Sequence, residues 1–178
     1  MLQLNNSKAA SNAMPTFVHI TSEDTAKKAR RGGVRTAKLH GQPSRGIFAM
    51  PVTPSFQISH QWVREIKRWR RGMVVGVYFR IPNAEMVWVG RYNEQHQEMT
   101  AAQAAAHVMS QTEMTGVQVI IPRRIVPTEI VRVRRLTQLV GWRHYPDAHG
   151  KRPWACECCQ KGQYGSRKIR DKYAERVA

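Results

Sequence analysis

The alternation of apolar and polar positions predicts short strands separated by a few helices. Six apolar runs of strand length are bounded by turn-forming residues: 16–20, 46–52, 73–81, 86–92, 116–122 and 129–136. Three segments show helical spacing instead: 21–33, 59–72 and 100–111. This order, β-α-β-α-β-β-α-β-β, has too few helices for a doubly wound parallel sheet. It favours an α+β fold with a mostly antiparallel, split sheet.

The predicted helices carry start and stop signals. Thr21 and Asp24 have capping-box spacing before the first helix, and the two glycines at 32–33 end it. Thr100 and Gln103 form a second capping box, before the helix with the highest intrinsic propensity. The four residues between the third and fourth strands are typical of a turn, so these two strands are predicted to form a hairpin.

Length and composition indicate one domain with an appended segment. The chain has 178 residues, of which 42% are hydrophobic, enough for a substantial core. Residues 1–13 are polar and end in SNA before Met14, which resembles a cloning remnant. The domain is therefore expected over residues 14–140. Because no apolar run approaches the about 20 residues that cross a bilayer, we expect a cytoplasmic protein without a membrane partner.

The charge balance is strongly basic. The 29 Lys and Arg against 12 Asp and Glu give a net charge of +17. From residue 123 to the end, 14 Lys and Arg stand against 5 Asp and Glu. DNA or RNA is the commonest intracellular polyanion, so we predict a nucleic-acid partner in preference to a merely solvated basic surface.

Three stretches place a polar or aromatic residue at a strand end or turn. They are VHITSEDTAKKARRGGV, GIFAMPVTPSFQISHQW and GVQVIIPRRIVP. In this order they resemble the three motif regions of the ADP-ribosyltransferase superfamily, which includes the poly(ADP-ribose) polymerases, bacterial toxins that modify nucleic acids and the tRNA 2′-phosphotransferases. The resemblance covers roughly residues 14–131 as a sparse set of motifs. The residues that carry it are His19, Thr21, Phe48, Ser59, Trp62 and Gln118.

The resemblance implies an NAD site. His19, with Thr21 beside it, takes the place of the family's histidine, which hydrogen-bonds the nicotinamide-side ribose. Phe48 stands where the family often has tyrosine, and Ser59 and Trp62 match a serine and an aromatic one turn further on. Two aromatic faces would sandwich the nicotinamide ring. The alternative is that His19, Phe48 and Trp62 only pack in the core.

Gln118 occupies the position of the family's glutamate, just before a strand of the type V-I-L-P. The implied role of that carboxylate is to stabilise the positive charge that develops as nicotinamide leaves, and an amide lacks the charge. Three hypotheses remain: an inactivated variant, a branch that does without the glutamate, as the phosphotransferases do, or an accidental match. Glu113 and Glu129 are nearby carboxylates that would be candidate substitutes.

Cations follow the third motif and recur near the end of the chain. A cationic rim beside the site would attract phosphate backbones and make binding salt-sensitive. The alternative is a solvated edge strand whose charges prevent aggregation. The candidate nucleic-acid-binding residues are Arg123, Arg124, Arg132, Arg134, Arg135, Lys168 and Arg170.

Residues 141–178 form a basic segment that is poor in aliphatic residues and contains all three cysteines. Three thiolates and one imidazole make a legitimate tetrahedral zinc set, although C-x-C-C crowds its ligands more than C-x-x-C does. The alternative is three unligated thiols. The candidate zinc ligands are His149, Cys156, Cys158 and Cys159.

The functional hypothesis is an NAD-dependent ADP-ribosyltransferase that acts on DNA or RNA, as a toxin or defence enzyme would, with Gln118 and His19 in the catalytic positions. One alternative is an RNA 2′-phosphotransferase that uses NAD. Another is a non-catalytic basic nucleic-acid-binding protein with a zinc-stabilised tail, which Gln118 and Phe48 would suit.

Overall fold

An antiparallel sheet of eight strands, with few helices, forms the centre of an α+β fold. The structure is a computed structural model and describes residues 14–38, 45–70, 72–92 and 94–142, with the backbone of 148–149 and 152–153. The sheet strands are β1 (Thr16–Ser22), β2 (Ala37–Lys38), β3 (Arg45–Pro51), β4 (Val74–Arg80), β5 (Met86–Arg91), β6 (Gln97–Thr100), β7 (Val117–Ile121) and β8 (Ile130–Arg135). The helices are α1 (Glu23–Gly32), α2 (Phe56–Ser59), α3 (Val63–Trp69) and α4 (Ala101–Ser110), with a 3₁₀ turn at Pro127–Glu129. A separate pair, β9 (Ala148–His149) and β10 (Arg152–Pro153), completes the elements.

Two helix starts show how local sequence sets the boundaries. The capping box predicted for α4 is confirmed: Gln103 N–H donates to the Thr100 hydroxyl, and Thr100 N–H donates to the Gln103 side chain. The capping box predicted for α1 is wrong by one residue. Ser22, the last residue of β1, is the N-cap and accepts from Thr25 N–H.

The helix predicted over residues 59–72 is shorter in the structure: α3 begins only at Val63, and a turn at residues 60–62 separates it from α2, which shares only Ser59 with the predicted range. The Gln61 carbonyl accepts from the Trp142 backbone N–H at 2.6 Å, so a distant segment takes a bond that a continuous helix would have made itself. This interruption leaves Trp62 at the start of α3, where its ring reaches the sheet.

The sheet order is β6-β5-β7-β3-β1-β4-β8, with β2 added to β3. Every ladder in it is antiparallel. The predicted hairpin between the third and fourth strands is wrong: β4 pairs with β1 and β8, whereas β5 pairs with β6 and β7. The residues between β4 and β5 instead cap the N-terminus of α4. The carbonyl of Asn83 accepts from Ala102 N–H, and that of Glu85 accepts from Ala101 N–H.

The sheet opens between β1 and β3. These two strands pair at two positions, Phe17 with Pro51 and Val18 with Met50, whereas all seven residues of β1 pair with β4. Beyond Val18, β1 and β3 therefore separate. His19 lies at the point of separation.

The core joins both parts of the sheet. Valines of β4, β5 and β7 are almost fully buried, and the alanines of α1 and α4 pack in the same cluster. A smaller cluster forms under α3, where Val63, Val74, Ile20 and Leu136 are buried together. Small alanine side chains let the helices approach the sheet closely, so α1 and α4 hold the strands that carry the motif residues.

Gly33 ends α1 and fixes how the helix leaves the sheet. Its φ of +74° lies in the left-handed region, and its N–H donates to the Ala29 carbonyl at 2.8 Å. A Cβ at this position would lie 2.0 Å from the carbonyl oxygen of Ile125. The neighbouring Gly32 has nothing within 4 Å of an added Cβ.

We expect Gly33→Ala to lower the free energy of unfolding by at least about 2 kcal/mol, since it combines the left-handed penalty of an L-residue with a backbone clash. Gly32→Ala is the matched control and should raise stability by about 0.5–1 kcal/mol, because Gly is a poor helix residue. Urea unfolding measures both. Equal effects of the two substitutions would contradict the structural reading of Gly33.

Several sequence predictions fall on residues that the structure does not describe. They include the segment 1–13, most of 141–178, Lys168, Arg170 and the three cysteines. Of His149 only the backbone is described. In the ranges that are described, no helix is both long and apolar enough to cross a membrane.

Candidate functional site

A cavity of about 390 Å³ opens where β1 and β3 separate. Strands β1, β3 and β7 form its floor, and Trp62 and α3 form a wall. Residues from all three predicted motifs line it: His19, Phe48, Trp62 and Gln118. The cavity is thus the place where segments separated by some 100 positions in the sequence come together.

The strand register brings Phe48 and Gln118 to the same face of the sheet. Phe48 pairs with Ile120 across β3 and β7, and residues two apart on a strand share a face. Gln118 therefore lies diagonally next to Phe48. Phe48 keeps 40% of its surface exposed although it lies in the middle of β3, whereas Gln118 is only 8% exposed. An exposed ring in a central strand is available to stack on a ligand.

His19 is held as a neutral imidazole. Its Nδ1 lies 2.8 Å from the carbonyl oxygen of Phe48, and a carbonyl only accepts, so Nδ1 carries the hydrogen. Burial lowers the pKa of His19, the Phe48 carbonyl opposes that shift, and the charge of Arg70 lowers the pKa further. The neutral ring leaves Nε2 as an acceptor for a hydrogen bond.

Trp62 anchors an aromatic cluster at the cavity. Its Nε1–H donates to the Val117 carbonyl at 3.0 Å, next to Gln118. Its ring meets Trp142 edge-on at 5.1 Å and Tyr92 at 5.6 Å between centroids. Such contacts are worth about 0.5–1.5 kcal/mol each beyond burial, so the indole is fixed before any ligand arrives.

Gln61 ties the turn before α3 to the segment before β7. Its side chain donates to the Met114 carbonyl at 2.9 Å and accepts from Gly116 N–H at 2.6 Å, and it is 1% exposed. Sequence reasoning did not identify Gln61, because nothing in its local spacing marks it. Its effect is to fix Trp62 and Gln118 relative to one another.

Gln118 has a partner that the sequence did not reveal. Its Nε2 lies 3.0 Å from Nε2 of His96, which precedes β6. An amide nitrogen only donates, so His96 Nε2 accepts and the ring is neutral there. Burial lowers the pKa of His96, in agreement with that state. The side chain of Gln118 is 8% exposed and lies against both His96 and the cavity.

Thr21 and Ser59 lie outside the lining of the cavity in the described part of the chain. Thr21 is 4% exposed and pairs with Val75. The Ser59 hydroxyl is 3.1 Å from that of Thr53 and accepts from Thr53 N–H at 2.8 Å. Both hydroxyls therefore support the strands and turns around the site.

Two charged residues in the lining were not anticipated. Glu65 and Arg70, from α3 and its end, both line the cavity. Glu65 is 8% exposed, and its two oxygens lie 3.2 and 3.3 Å from Nη1 of Arg68. The helical pattern of 59–72 predicted these positions as part of an ordinary amphipathic helix. Glu65 and Arg70 thus give the cavity one anionic and one cationic residue.

The substitutes considered for the missing glutamate are engaged elsewhere. Glu113 accepts from both the hydroxyl and the backbone N–H of Thr115, which lowers its pKa. The carboxylates of Glu85 and Glu129 both form ion pairs with the guanidinium of Arg123. These pairs raise the pKa of Arg123, and the pair with Arg123 lowers the pKa of Glu129. Neither Glu113 nor Glu129 is among the described residues that line the cavity.

The arginines of the predicted cationic rim do not form one continuous surface in the structure. The guanidinium of Arg123 is held by two carboxylates, which would compete with a phosphate for it. Arg124 donates to the Gly32 carbonyl at 3.1 Å. Arg132 lies over the Tyr78 ring at 4.5 Å, and Arg134 lies on the same face, since it is two residues away. Arg135 points to the opposite face, where it pairs with Glu23.

A basic groove runs between α1 and β8. Two adjoining cavities, of about 270 and 170 Å³, share Arg30 and Val133. The cations that line them are Lys27, Arg30, Arg132 and Arg135. Helix α1 contains four Lys and Arg residues, but its placement along β8 depends on tertiary packing. Because cations of both α1 and β8 line the groove, the cationic surface is wider than β8 alone.

The zinc prediction lies outside the described residues, since the side chain of His149 and all three cysteines do. Within the described ranges, no three Cys, His, Asp or Glu side chains are placed to hold a metal ion.

Comparison with protein-family models, with curated proteins and with solved structures finds no match to this chain.

Three histidines with lowered pKa values predict a pH dependence of stability. Burial lowers the pKa of His19, His60 and His96 below 6.5. The unfolded chain then binds these protons at a higher pH than the folded chain, so stability is present above pH 6.5 and is lost as the pH falls below it. The buried His60 contributes up to about 1.4 kcal/mol per pH unit, and the partly exposed His19 and His96 contribute less. Urea unfolding at pH 7.5, 6.5 and 5.5 measures the slope, and a flat profile would show that the three rings are not held neutral.

Proposed function

We propose that the cavity binds NAD and that the chain transfers ADP-ribose from it to a nucleic acid. The observation that carries the proposal is the convergence of His19, Phe48, Trp62 and Gln118 on one cavity. The three motifs are short and lie far apart in the sequence. A chance similarity of three short motifs gives no reason for them to share one site.

The chemical character of the cavity supports a nicotinamide dinucleotide. Phe48 and Trp62 offer aromatic faces to a flat ring. His19 Nε2 is an acceptor for a ribose hydroxyl. Arg70 offers a positive charge to a diphosphate. The nicotinamide ring, its ribose and the diphosphate thus each have a group of matching chemistry.

In the proposed reaction, the bond between C1′ of the ribose and the pyridinium nitrogen breaks. Its electron pair leaves with nicotinamide, which becomes neutral, and positive charge develops on the ribose. A nucleophilic oxygen or nitrogen of the nucleic acid forms the new bond to C1′, and its proton is released to solvent. The protein's part is to hold the ring, orient the ribose and stabilise the developing charge.

NAD is expected to raise the melting temperature of the protein, because a ligand that binds only the folded state stabilises it. Phe48→Ala should weaken NAD binding about tenfold, since an aromatic contact is worth about 0.5–1.5 kcal/mol beyond burial. Phe56→Ala is the matched control: Phe56 is similarly exposed but packs on His60, with 4.1 Å between ring centroids. Calorimetric titration of NAD measures both variants.

The same proteins, together with Gln118→Glu, are then incubated with labelled NAD and mixed DNA and RNA. Gln118→Glu should raise the labelling of nucleic acid, since it adds a charge where the ribose reacts. The phosphotransferase alternative predicts instead that only RNA with a 2′-phosphate consumes NAD. If NAD neither stabilises the protein nor labels anything, the non-catalytic nucleic-acid-binding alternative replaces the proposal.

The acceptor is proposed to bind through the basic groove between α1 and β8. Its cations carry few close counter-charges: Lys27 lies 3.7 Å from Asp24 and Arg135 lies 3.2 Å from Glu23, both at exposed positions. Exposed pairs of this kind contribute little and exchange readily for phosphate. The groove therefore suits a polyanionic backbone better than a protein with mixed charges.

Arg30→Ala should weaken the binding of oligonucleotides and reduce the slope of log K against log salt by about 1, the loss of one phosphate contact. Fluorescence anisotropy with single strands of about 16 nucleotides, DNA and RNA, measures this. Lys38→Ala removes an exposed cation from β2, away from the groove, and is the control. The groove is excluded if both variants bind alike and show one salt slope.

A further inference from the structure

We propose that an aromatic ladder of Phe56, His60, Tyr78 and Arg132 is a stacking platform for single-stranded nucleic acid. The ladder lies on the face of the sheet that carries the cavity. The inference deepens the proposed function and rests on one part of it, the assumption that the acceptor is a nucleic acid. It commits to an acceptor with unpaired bases in preference to a duplex.

The ladder is an unbroken series of ring contacts. The rings of Phe56 and His60 lie 4.1 Å apart between centroids, with 31° between their planes. His60 meets the Tyr78 ring edge-on at 5.9 Å, and the guanidinium carbon of Arg132 lies 4.5 Å from the Tyr78 centroid. Each group is thus oriented by its neighbour, so little side-chain entropy is lost when a ligand stacks on the exposed end.

Hydrogen bonds fix the two inner rings. His60 Nδ1–H donates to the Phe56 carbonyl at 2.7 Å, and His60 Nε2 accepts from the Tyr78 hydroxyl at 2.6 Å. Both residues are 3% exposed. Burial lowers the pKa of His60 and raises the pKa of Tyr78, so both rings stay neutral. Gly76 makes room for the Tyr78 ring, since an added Cβ there would lie 3.0 Å from its Cε2.

The two ends of the ladder face solvent. Phe56 is 49% exposed, and Arg132 is exposed as well. Arg134 lies two residues along β8, on the same face as Arg132, and is also exposed. Within the described ranges, neither arginine forms an ion pair with a carboxylate. This surface therefore suits a ligand that is both flat and anionic, and a nucleotide is both.

Stacking on Phe56 requires an unpaired base. In a duplex the bases stack on one another and present only their edges in the grooves. A single strand offers the flat face of each base, and proteins bind it by combining aromatic rings with a cationic track for the phosphates. Phe56 supplies the ring, and Arg132 and Arg134 supply the cations. An acidic peptide would satisfy the cations alone.

The strand register places the ladder on the same face as the cavity. Tyr78 pairs with Arg132 on one side and with Val18 on the other, and directly paired residues share a face. Val18 lines the cavity, and the turn before α3 joins His60 to Trp62 in the cavity wall.

Arg132 also connects the ladder to the basic groove, because it lines one of the two cavities that form the groove. Strand β8 lies at the edge of the described sheet. A nucleic-acid strand held in the groove therefore has a path over this edge, along the ladder and toward the cavity.

The test measures the binding of the full chain to thymidine and uridine oligonucleotides of about 16 nucleotides, and to an abasic strand of equal length that keeps the phosphates. Fluorescence anisotropy gives the affinities. Phe56→Ala should weaken binding of a strand with bases about tenfold, the loss of one stacked base, and leave binding of the abasic strand unchanged. Arg134→Ala should weaken both and reduce the slope of log K against log salt by about 1.

Further variants separate stacking from general apolar contact and from folding. Phe56→Trp keeps an aromatic face and should retain affinity, whereas Phe56→Leu keeps an apolar side chain without a ring and should lose it. Leu139→Ala removes a side chain that is 75% exposed and outside the ladder, and it should change nothing. The melting temperature should change little in the Phe56 variants, since that side chain is half exposed. If Phe56→Leu binds as well as Phe56→Trp, the contact is not stacking and the inference is wrong.

The remaining outcomes distinguish the inference from the proposed function. If the chain binds the single strand but all Phe56 variants bind it equally, or if a duplex of the same length binds more tightly, the ladder is not the platform and the NAD site is unaffected. If polyglutamate binds as tightly as the strand and Phe56→Ala weakens both alike, the surface takes an acidic protein instead. If the chain binds no oligonucleotide, the nucleic-acid acceptor of the proposed function fails and the inference fails with it.

Discussion

The buried amide of Gln61 is the interaction on which the site depends. It joins the turn before α3 to the segment before β7 through bonds to Met114 and Gly116. Its own backbone carbonyl accepts from Trp142 N–H, so three distant segments meet at one residue. Leaving such buried groups without partners costs about 1–3 kcal/mol each. The hydrogen bonds of Gln61 are therefore strong enough to fix Trp62 against Val117 and to set the width of the cavity.

The gap between β1 and β3 exposes His19 and Phe48, which the hydrogen bonds of Gln61 alone cannot do. A fully paired sheet would present a flat floor, and His19 would be covered by its neighbours. Because β1 and β3 pair at only two positions, His19 reaches the Phe48 carbonyl across the gap and its Nε2 stays available. The same gap leaves Phe48 uncovered. Two features of the backbone thus create an acceptor and an aromatic surface side by side.

Six of the eight sheet strands and the mostly antiparallel arrangement could be predicted from the sequence, since each depends on local alternation or on short patterns. The errors arose where distant contacts decide. Residues 82–85 look like a hairpin turn, but the carbonyls of Asn83 and Glu85 cap α4. His96, Glu65 and Arg70 carry no local signal. His96 meets Gln118 beside Gly90 of β5, which pairs with Gln118, and the path of α3 brings Glu65 and Arg70 to the cavity. None of these contacts can be read from spacing.

The cavity and the groove differ in how their charges meet solvent. In the cavity, burial lowers the pKa of His19, and the carboxylate of Glu65 is paired with Arg68. In the groove, Lys27, Arg30 and Arg135 are exposed and act together on anions at a distance set by salt. In the proposed function, NAD would bind in the cavity and the exposed cations would attract the nucleic acid, whose reacting atom would still have to reach C1′ of the ribose in the cavity. The exposed cations therefore account for the attraction of a polyanion, whereas transfer depends on access to the cavity.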